Sequence, residues 1–271
     1  MMKGTAWIVT VGNELLIGRV VNTNAAWLAA KLTHLGYLVK RIVVVPDVEE
    51  EIVEAFREAL GRADVVVSTG GLGPTPDDIT NLAFAKAVGE EAVVNEEAFR
   101  MVKEKYESRG YPITEERVKM AKMPRGAKPL PNPVGTAPGI LYQKEDKIVV
   151  LLPGVPREME AIFENYVEPL LKARGPPIHF AESIVVVKGV PEADMSPIIR
   201  ETMRRYPTVY VKSHPKGFEV EAPVLEVHVY ASAGERAEAE RIVAEAVEFL
   251  VKLAKSKFEK AVLNVQHADH S

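Results

Sequence analysis

Three stretches of this chain carry residue types that could do chemistry, and each follows an apolar run. STGGLGPTPDDIT (68–80) comes after Val65-Val66-Val67 and holds Gly70, Gly71, Gly73, Thr75 and the adjacent acids Asp77 and Asp78. Glycines in a turn permit left-handed backbone and close approach, and successive amides there can cradle an anion. The turn lacks the lysine of GxxxxGK[ST] and does not match GxGxxG. It offers no lysine or arginine of its own. Phosphate beside carboxylate is repulsive unless a cation lies between them, and Mg2+ is commonly held by one or two carboxylates plus phosphate oxygens. The expected chemistry is metal-assisted work on a phosphate or pyrophosphate. The alternative is a plain strand-to-helix turn in which one aspartate, Asp77 for preference, caps the helix.

The second stretch, GNELLIGRVVNTN (12–24), brings Glu14 and the trio Asn22, Thr23 and Asn24. Those three can cap a helix and leave its amides for an anionic group. The third, LPGVPREM (152–159), brings Pro153, Gly154 and Glu158. Pro46-Asp47 ends a further strand-like run, and Asp47 is either a metal ligand or a cap. MPRGAKPLPNPVGTAPGI (123–140) has no usable periodicity and is long for a structureless loop, which marks it as functional; Asn132, Gly135 and Thr136 lie in it. Glu14, Asp47, Asp77, Asp78 and Glu158 are the candidate metal-site acids, and spacing leaves open which of them touch metal.

The elements that must position these residues alternate. Ala6–Val11, Leu38–Val45, Asp64–Ser68 and Ile148–Leu152 are strand-like. Between them, residues 21–35 place Ala25, Leu28, Ala29, Leu32 and Leu35 on one helical face, and helices are also expected from Pro46-Asp47 to Leu60, over 78–88, within 95–123 and over 156–173. Such alternation implies βαβ units and a mostly parallel sheet covered on both faces. Ligands of such sheets bind beyond the carboxyl ends of the strands, which is where all the segments above fall. After Arg174-Gly175-Pro176-Pro177 the order changes to strand 179–188, helix 191–205, strands 207–213 and 223–231, and helix 234–255. The organisation expected is a domain over 1–173, a small α+β domain over 178–255 and a frayed tail over 256–271.

Composition bounds the rest. The chain has 271 residues, 47% hydrophobic and 27% charged, with a net charge of −4 and pI near 6.0. That balance gives no electrostatic reason for nucleic-acid binding. Cysteine is absent, which excludes disulfides, thiolate zinc sites and cysteine nucleophiles. No apolar run is long enough to span a membrane and no signal peptide is evident, so a cytoplasmic location is expected. Scarce glutamine and plentiful Glu, Lys and Arg suit a heat-adapted source. The histidines are scattered without metal-ligand spacing, and no GxSxG elbow occurs.

GNELLIGRVVNTNAAWLAAKL, STGGLGPTPDDIT and LLPGVPREM closely resemble the N-terminal domain of the competence/damage-inducible CinA family, part of the molybdopterin-binding, MoaB/MogA-like superfamily. The resemblance covers roughly residues 5–173, and residues 178–255 resemble the family's KH-like domain. It implies a three-layer α/β/α fold and, for the CinA branch, a divalent-metal-dependent ADP-ribose pyrophosphatase using Mg, Mn or Co, with a monovalent cation as a further helper. In that picture Asp78, Glu14 and Glu158 are catalytic. Asp78, Asp47 and Asp77 hold metal. Asn22, Asn24, Gly70, Gly71, Gly73, Thr75, Asn132, Gly135, Thr136, Pro153 and Gly154 bind the ligand. The alternatives are a molybdopterin-binding protein of molybdenum or tungsten cofactor metabolism, or a non-catalytic nucleotide-binding scaffold. Leu72 stands where molybdopterin-binding relatives have threonine, and Pro76-Asp77 where they tend to carry a basic residue, which favours the CinA branch. The family's amidase domain finds no room in this chain, so nicotinamide mononucleotide deamidation is not expected. The KH-like region lacks a GxxG loop, HPKGF (214–218) being the nearest approach, so a homo-oligomer, dimer before trimer, is expected in place of a nucleic-acid or membrane partner.

Overall fold

Alternation along the apolar runs decides the architecture of the N-terminal unit. In β1 (Thr5–Val11), Ala6 and Ile8 face one way while Trp7, Val9 and Val11 face the other. The same division holds for Val65 and Val67 against Val66 in β3 (Val65–Thr69), and for Ile148, Val150 and Leu152 against Val149 and Leu151 in β8 (Lys147–Leu152). A strand buried on both faces needs a layer of helices above and below it. α2 (Thr23–His34), α7 (Pro156–Ile162) and α8 (Glu168–Arg174) cover one face. α3 (Glu49–Arg62), α4 (Thr80–Val88) and α5 (Glu96–Glu107) cover the other.

The computed structural model describes residues 4–216, 222–259 and 261–267, and the chain divides into two units, Met1–Pro176 and Pro177–Ser271. The N-terminal unit is completed by α1 (Asn13–Leu16), β2 (Leu38–Val45), β4 (Ala92–Val94), α6 (Glu115–Lys119), β5 (Lys122–Pro124), β6 (Lys128–Leu130) and β7 (Gly139–Lys144). Its six-stranded sheet runs β2-β1-β3-β8-β7-β6. The first four strands are parallel and the last two antiparallel, so the sheet is mixed. The edge strand β2 carries an irregular register opposite Ala6 and Trp7, with Lys40 and Arg41 exposed there, a blunt edge that discourages further pairing.

The proline-rich stretch 123–140 is not one long loop. Parts of it pair as β6 with β7 and as β5 with β4, short strands whose prolines and small residues hide any alternation. The helix expected over 95–123 ends at Glu107, and only one further turn, α6, precedes β5. The helix over 156–173 widens into a π-helical turn at Phe163–Val167, just before Pro169, whose missing N–H breaks the regular ladder.

In the C-terminal unit, β9 (His179–Lys188), α9 (Glu192–Arg205), β10 (Val209–Pro215), β11 (Val224–Ala233), α10 (Arg236–Lys257) and β12 (Val262–His267) follow in order. The sheet is antiparallel with the order β10-β11-β9-β12, a split βαβ arrangement. β12 corrects the frayed tail expected over 256–271: Leu263 and Val265 pack on the unit's core while their backbone completes the free edge of β9. Gly217 and Phe218 of HPKGF lie outside the described residues. Two of the scattered histidines meet here, the rings of His214 and His228 lying 4.9 Å apart, with His228 Nδ1 2.7 Å from Glu182 Oε1. Among the described residues no helix is long and apolar enough to cross a membrane.

Candidate functional site

β1, β3 and β8 are parallel neighbours, so the loops that follow them emerge along one edge of the sheet. Gly70 continues β3 by donating its N–H to the Leu152 carbonyl over 3.0 Å. Its φ is +104°, and a Cβ there would run into the Val11 carbonyl oxygen. Gly71 has φ +70°, and a Cβ would strike Thr80 Oγ1. From the other side, a Cβ on Gly154 would stand 3.4 Å from the Gly70 Cα. Glycine is therefore required where three strand ends converge. Beyond Gly70, the amides of Gly71, Leu72 and Gly73 donate to no acceptor among the described residues.

Two hydroxyls at strand ends, Thr10 and Thr69, anchor the asparagines. Asn22 Nδ2 donates to Thr10 Oγ1 at 3.0 Å, and its Oδ1 accepts from Ala25 N at 3.2 Å. Asn22, and not Thr23, is the cap of α2. Asn24 Nδ2 donates to Thr69 Oγ1 at 3.0 Å and to the Gly154 carbonyl at 2.8 Å, while Thr69 Oγ1 donates to the Pro153 carbonyl at 2.8 Å. Both Asn24 amide hydrogens are thus engaged by the protein. Its Oδ1 is buried without a partner, an acceptor that asks for a donor. A cleft of about 90 Å³ opens here, lined among others by Thr10, Glu14, Val20, Val21, Asn24, Thr69, Gly70 and Gly154. A wider trough of about 630 Å³ runs along α3 between Glu50, Val53, Arg57 and Lys86, but it lies away from this edge and gathers no convergent polar groups; we give the small cleft more weight.

The acids turn inward to the loops. The Thr75 N–H donates to Asp78 Oδ2 at 2.9 Å, and the Thr75 hydroxyl lies 2.5 Å from both Asp78 Oδ2 and Asp77 Oδ1. Neither aspartate caps α4, which begins without a side-chain cap at Ile79. The expected capping role of Asp77 is therefore corrected: the loop folds back on Thr75 before the helix starts. Lys119, at the end of α6, donates to the Thr75 carbonyl. Sequence spacing missed this lysine, which reaches the turn across 44 residues. The Thr75 hydroxyl, with the Asp77 backbone N–H and the Lys119 charge, holds the Asp77 carboxyl below the usual range. Asp47 accepts from Asn13 N at 2.8 Å and joins two loops instead of capping α3. Burial pushes the Asp47 carboxyl up, and the charges of Glu14, Asp77 and Asp78 push the same way.

Glu158 belongs to a second cluster. Asn132 Nδ2 donates to Glu158 Oε2 at 2.7 Å and to the Ala137 carbonyl at 2.9 Å, and Asn132 Oδ1 accepts from the amides of Val134 and Gly135. The Glu158 carboxylate occupies the space a Gly135 side chain would need. Thr136 is half-buried in the same turn. Among the described residues, the lining of the cleft does not include Asn132, Gly135, Thr136 or Glu158.

Residues 7–173 match the family described as "Probable molybdopterin binding domain". The chain belongs to this family. Within it the chain is CinA-like: the structure of CinA from Thermoplasma acidophilum is 48% identical, with a TM-score of 0.59 over 62% of this chain and 98% of that one. A Pyrobaculum arsenaticum protein is 75% identical over 95% of this chain and 97% of its own length. A Pyrobaculum aerophilum protein is 72% identical over the same shares. These sources agree with the heat-adapted composition. The three-layer α/β domain is the MoaB/MogA-like architecture expected from the motifs.

The expected activity is corrected. Among the described residues no three His, Asp or Glu side chains converge as a metal-holding group. Asp77 and Asp78 are spent on Thr75, Asp47 on Asn13 and Glu158 on Asn132. This molybdopterin-binding-family domain therefore gives no support to a divalent-metal nucleotide pyrophosphatase, nor to a hydrolase built on Asp78, Glu14 and Glu158.

Proposed function

We propose that the N-terminal unit is a binding scaffold for molybdopterin, a pterin bearing a terminal phosphate. The observation that carries this reading is the row of free amides at Gly71, Leu72 and Gly73, set in a turn whose glycines leave no room for side chains. Such a row is suited to phosphate oxygens. Gly70, Gly154 and Pro153 form the floor beneath it, and Lys119 and Thr75 stand at its rim. Asn24 Oδ1 and the amide end of α2, capped by Asn22, face the part of the ligand that offers N–H or O–H donors. Asn24 accepts from the ligand and does not donate to phosphate, because its amide hydrogens are already used. Asp47, Asp77, Asp78 and Glu14 shape the acidic rim. Asn132, Gly135, Thr136 and Glu158 brace the neighbouring loop.

The test is equilibrium binding of molybdopterin, released anaerobically from a molybdoenzyme, followed by its intrinsic fluorescence. Saturable binding that Gly71→Ala abolishes, with no chemical change in the recovered ligand, supports the reading. Absence of binding by wild-type protein overturns it. The same titration with and without Mg2+ or Mn2+ shows whether a divalent cation accompanies the ligand.

A further inference from the structure

The segment joining α1 to α2 carries an uncommon load of exposed aliphatic surface. Leu16, Ile17, Val20 and Val21 are 52%, 69%, 49% and 80% exposed within six residues. The segment is an ordered lip. Ile17 N donates to the Asn13 carbonyl, Gly18 N to that of Leu15, and the amides of Arg19 and Val20 both donate to that of Glu14. Gly18 turns the chain with φ +70°. Ordered, contiguous aliphatic patches on a protein surface mark places where something docks.

Charge says what docks. Arg19 sits in the middle of the lip and has no carboxylate partner among the described residues. On the same edge, Glu14, Asp47, Asp77 and Asp78 are close enough to act on one another, and Lys119 is the cation that faces them. One edge therefore presents an aliphatic strip, a lone cation and an excess of anions. A twofold contact sets each surface against itself, so residue i of one copy meets residue j of the other and the reverse. Aliphatic side chains meet aliphatic side chains, and each Arg19 finds the other copy's acids.

We propose that a second copy of this chain covers the Leu16–Val21 lip through a twofold contact, placing Arg19 at the partner's acidic rim beside the Gly70–Gly73 turn. The cation that this turn lacks in sequence then comes partly from Lys119 and partly from the other copy. The proposal does not depend on which ligand the turn holds.

The chain has no cysteine, so single-cysteine variants give a clean readout. Under mild oxidation Ile17→Cys and Val21→Cys should form covalent dimers, whereas Tyr111→Cys, equally exposed but far along the chain, should not. Light scattering should give a dimer mass for wild type at about 50 µM chain. Val21→Asp should give a monomer with an unchanged melting temperature. Arg19→Glu should weaken the dimer about 10-fold or more, and Glu14→Arg added to it should restore part of the loss. A wild-type monomer overturns the proposal. So does a dimer that survives Val21→Asp and gives no cross-link at position 17 or 21. An Arg19→Glu protein that dimerises like wild type overturns the role of Arg19.

Discussion

The side-chain amide of Asn24, on the first turn of α2, donates to Thr69 Oγ1 at the end of β3 over 3.0 Å. Its second hydrogen goes to the Gly154 carbonyl, so one side chain fastens the loops after β1, β3 and β8. Replacing it by alanine leaves a buried hydroxyl and a carbonyl short of a donor, at a cost of about 1–3 kcal/mol. Asn24→Asp should cost more, because a carboxylate then faces the Gly154 carbonyl with no proton to offer. Thermal unfolding of the two variants checks the order; equal losses would mean that the link carries little.

Gly70 and Gly89 both have positive φ, but their surroundings differ. A Cβ at Gly89 meets nothing within 4 Å, while one at Gly70 collides with backbone. Gly89→Ala should lose only the left-handed penalty of about 1–2 kcal/mol. Gly70→Ala should lose more than that, since Val11 must also move. Chemical denaturation of both variants measures the difference.

Asp47 has a folded pKa above its unfolded value, with burial the largest cause. The folded state therefore holds this proton more tightly than the unfolded state does. Stability contributed by Asp47 is highest at low pH and falls as pH rises from the ordinary carboxylate range through the raised value. Asp47→Asn keeps an acceptor for Asn13 and removes that slope. It should match wild type near pH 3 and exceed it near pH 7 by less than about 1 kcal/mol, solvent screening included. Unfolding curves at the two pH values give the answer, and a variant less stable at pH 7 would reverse the sign argued here.

Lys119 contributes to the rim of the turn and little to the core. Lys119→Ala should leave the melting temperature within experimental scatter and weaken molybdopterin binding about 10-fold or more, as for loss of a charge-assisted hydrogen bond. Lys119→Arg should recover part of it. An alanine variant that binds like wild type would confine Lys119 to holding the Thr75 carbonyl.

Much of the edge was legible because strand-end loops of a parallel sheet must share one side, and short apolar runs separated by helical periods announce such a sheet. Gly70, Gly71, Asn22, Asn24 and Gly154 were found that way. Lys119 was not, because nothing in its own helical turn signals a partner 44 residues earlier. Thr10 and Thr69 gave only a faint sign, a hydroxyl placed late in an apolar strand. The strands β5, β6 and β7 were hidden by prolines that occur where a ladder can spare a donor.

By itself the sequence determined the three-layer unit, its order of elements and the loops that gather at its edge, since period and turn residues are local properties. Only the tertiary structure decided what the side chains there can still do. Asp77, Asp78, Asp47 and Glu158 are candidate metal ligands as letters, but each is already bonded to an N–H, O–H or amide of a neighbouring loop. A hydrogen-bonding group has a fixed number of partners, and which of them are taken depends on distances that spacing along the chain does not contain.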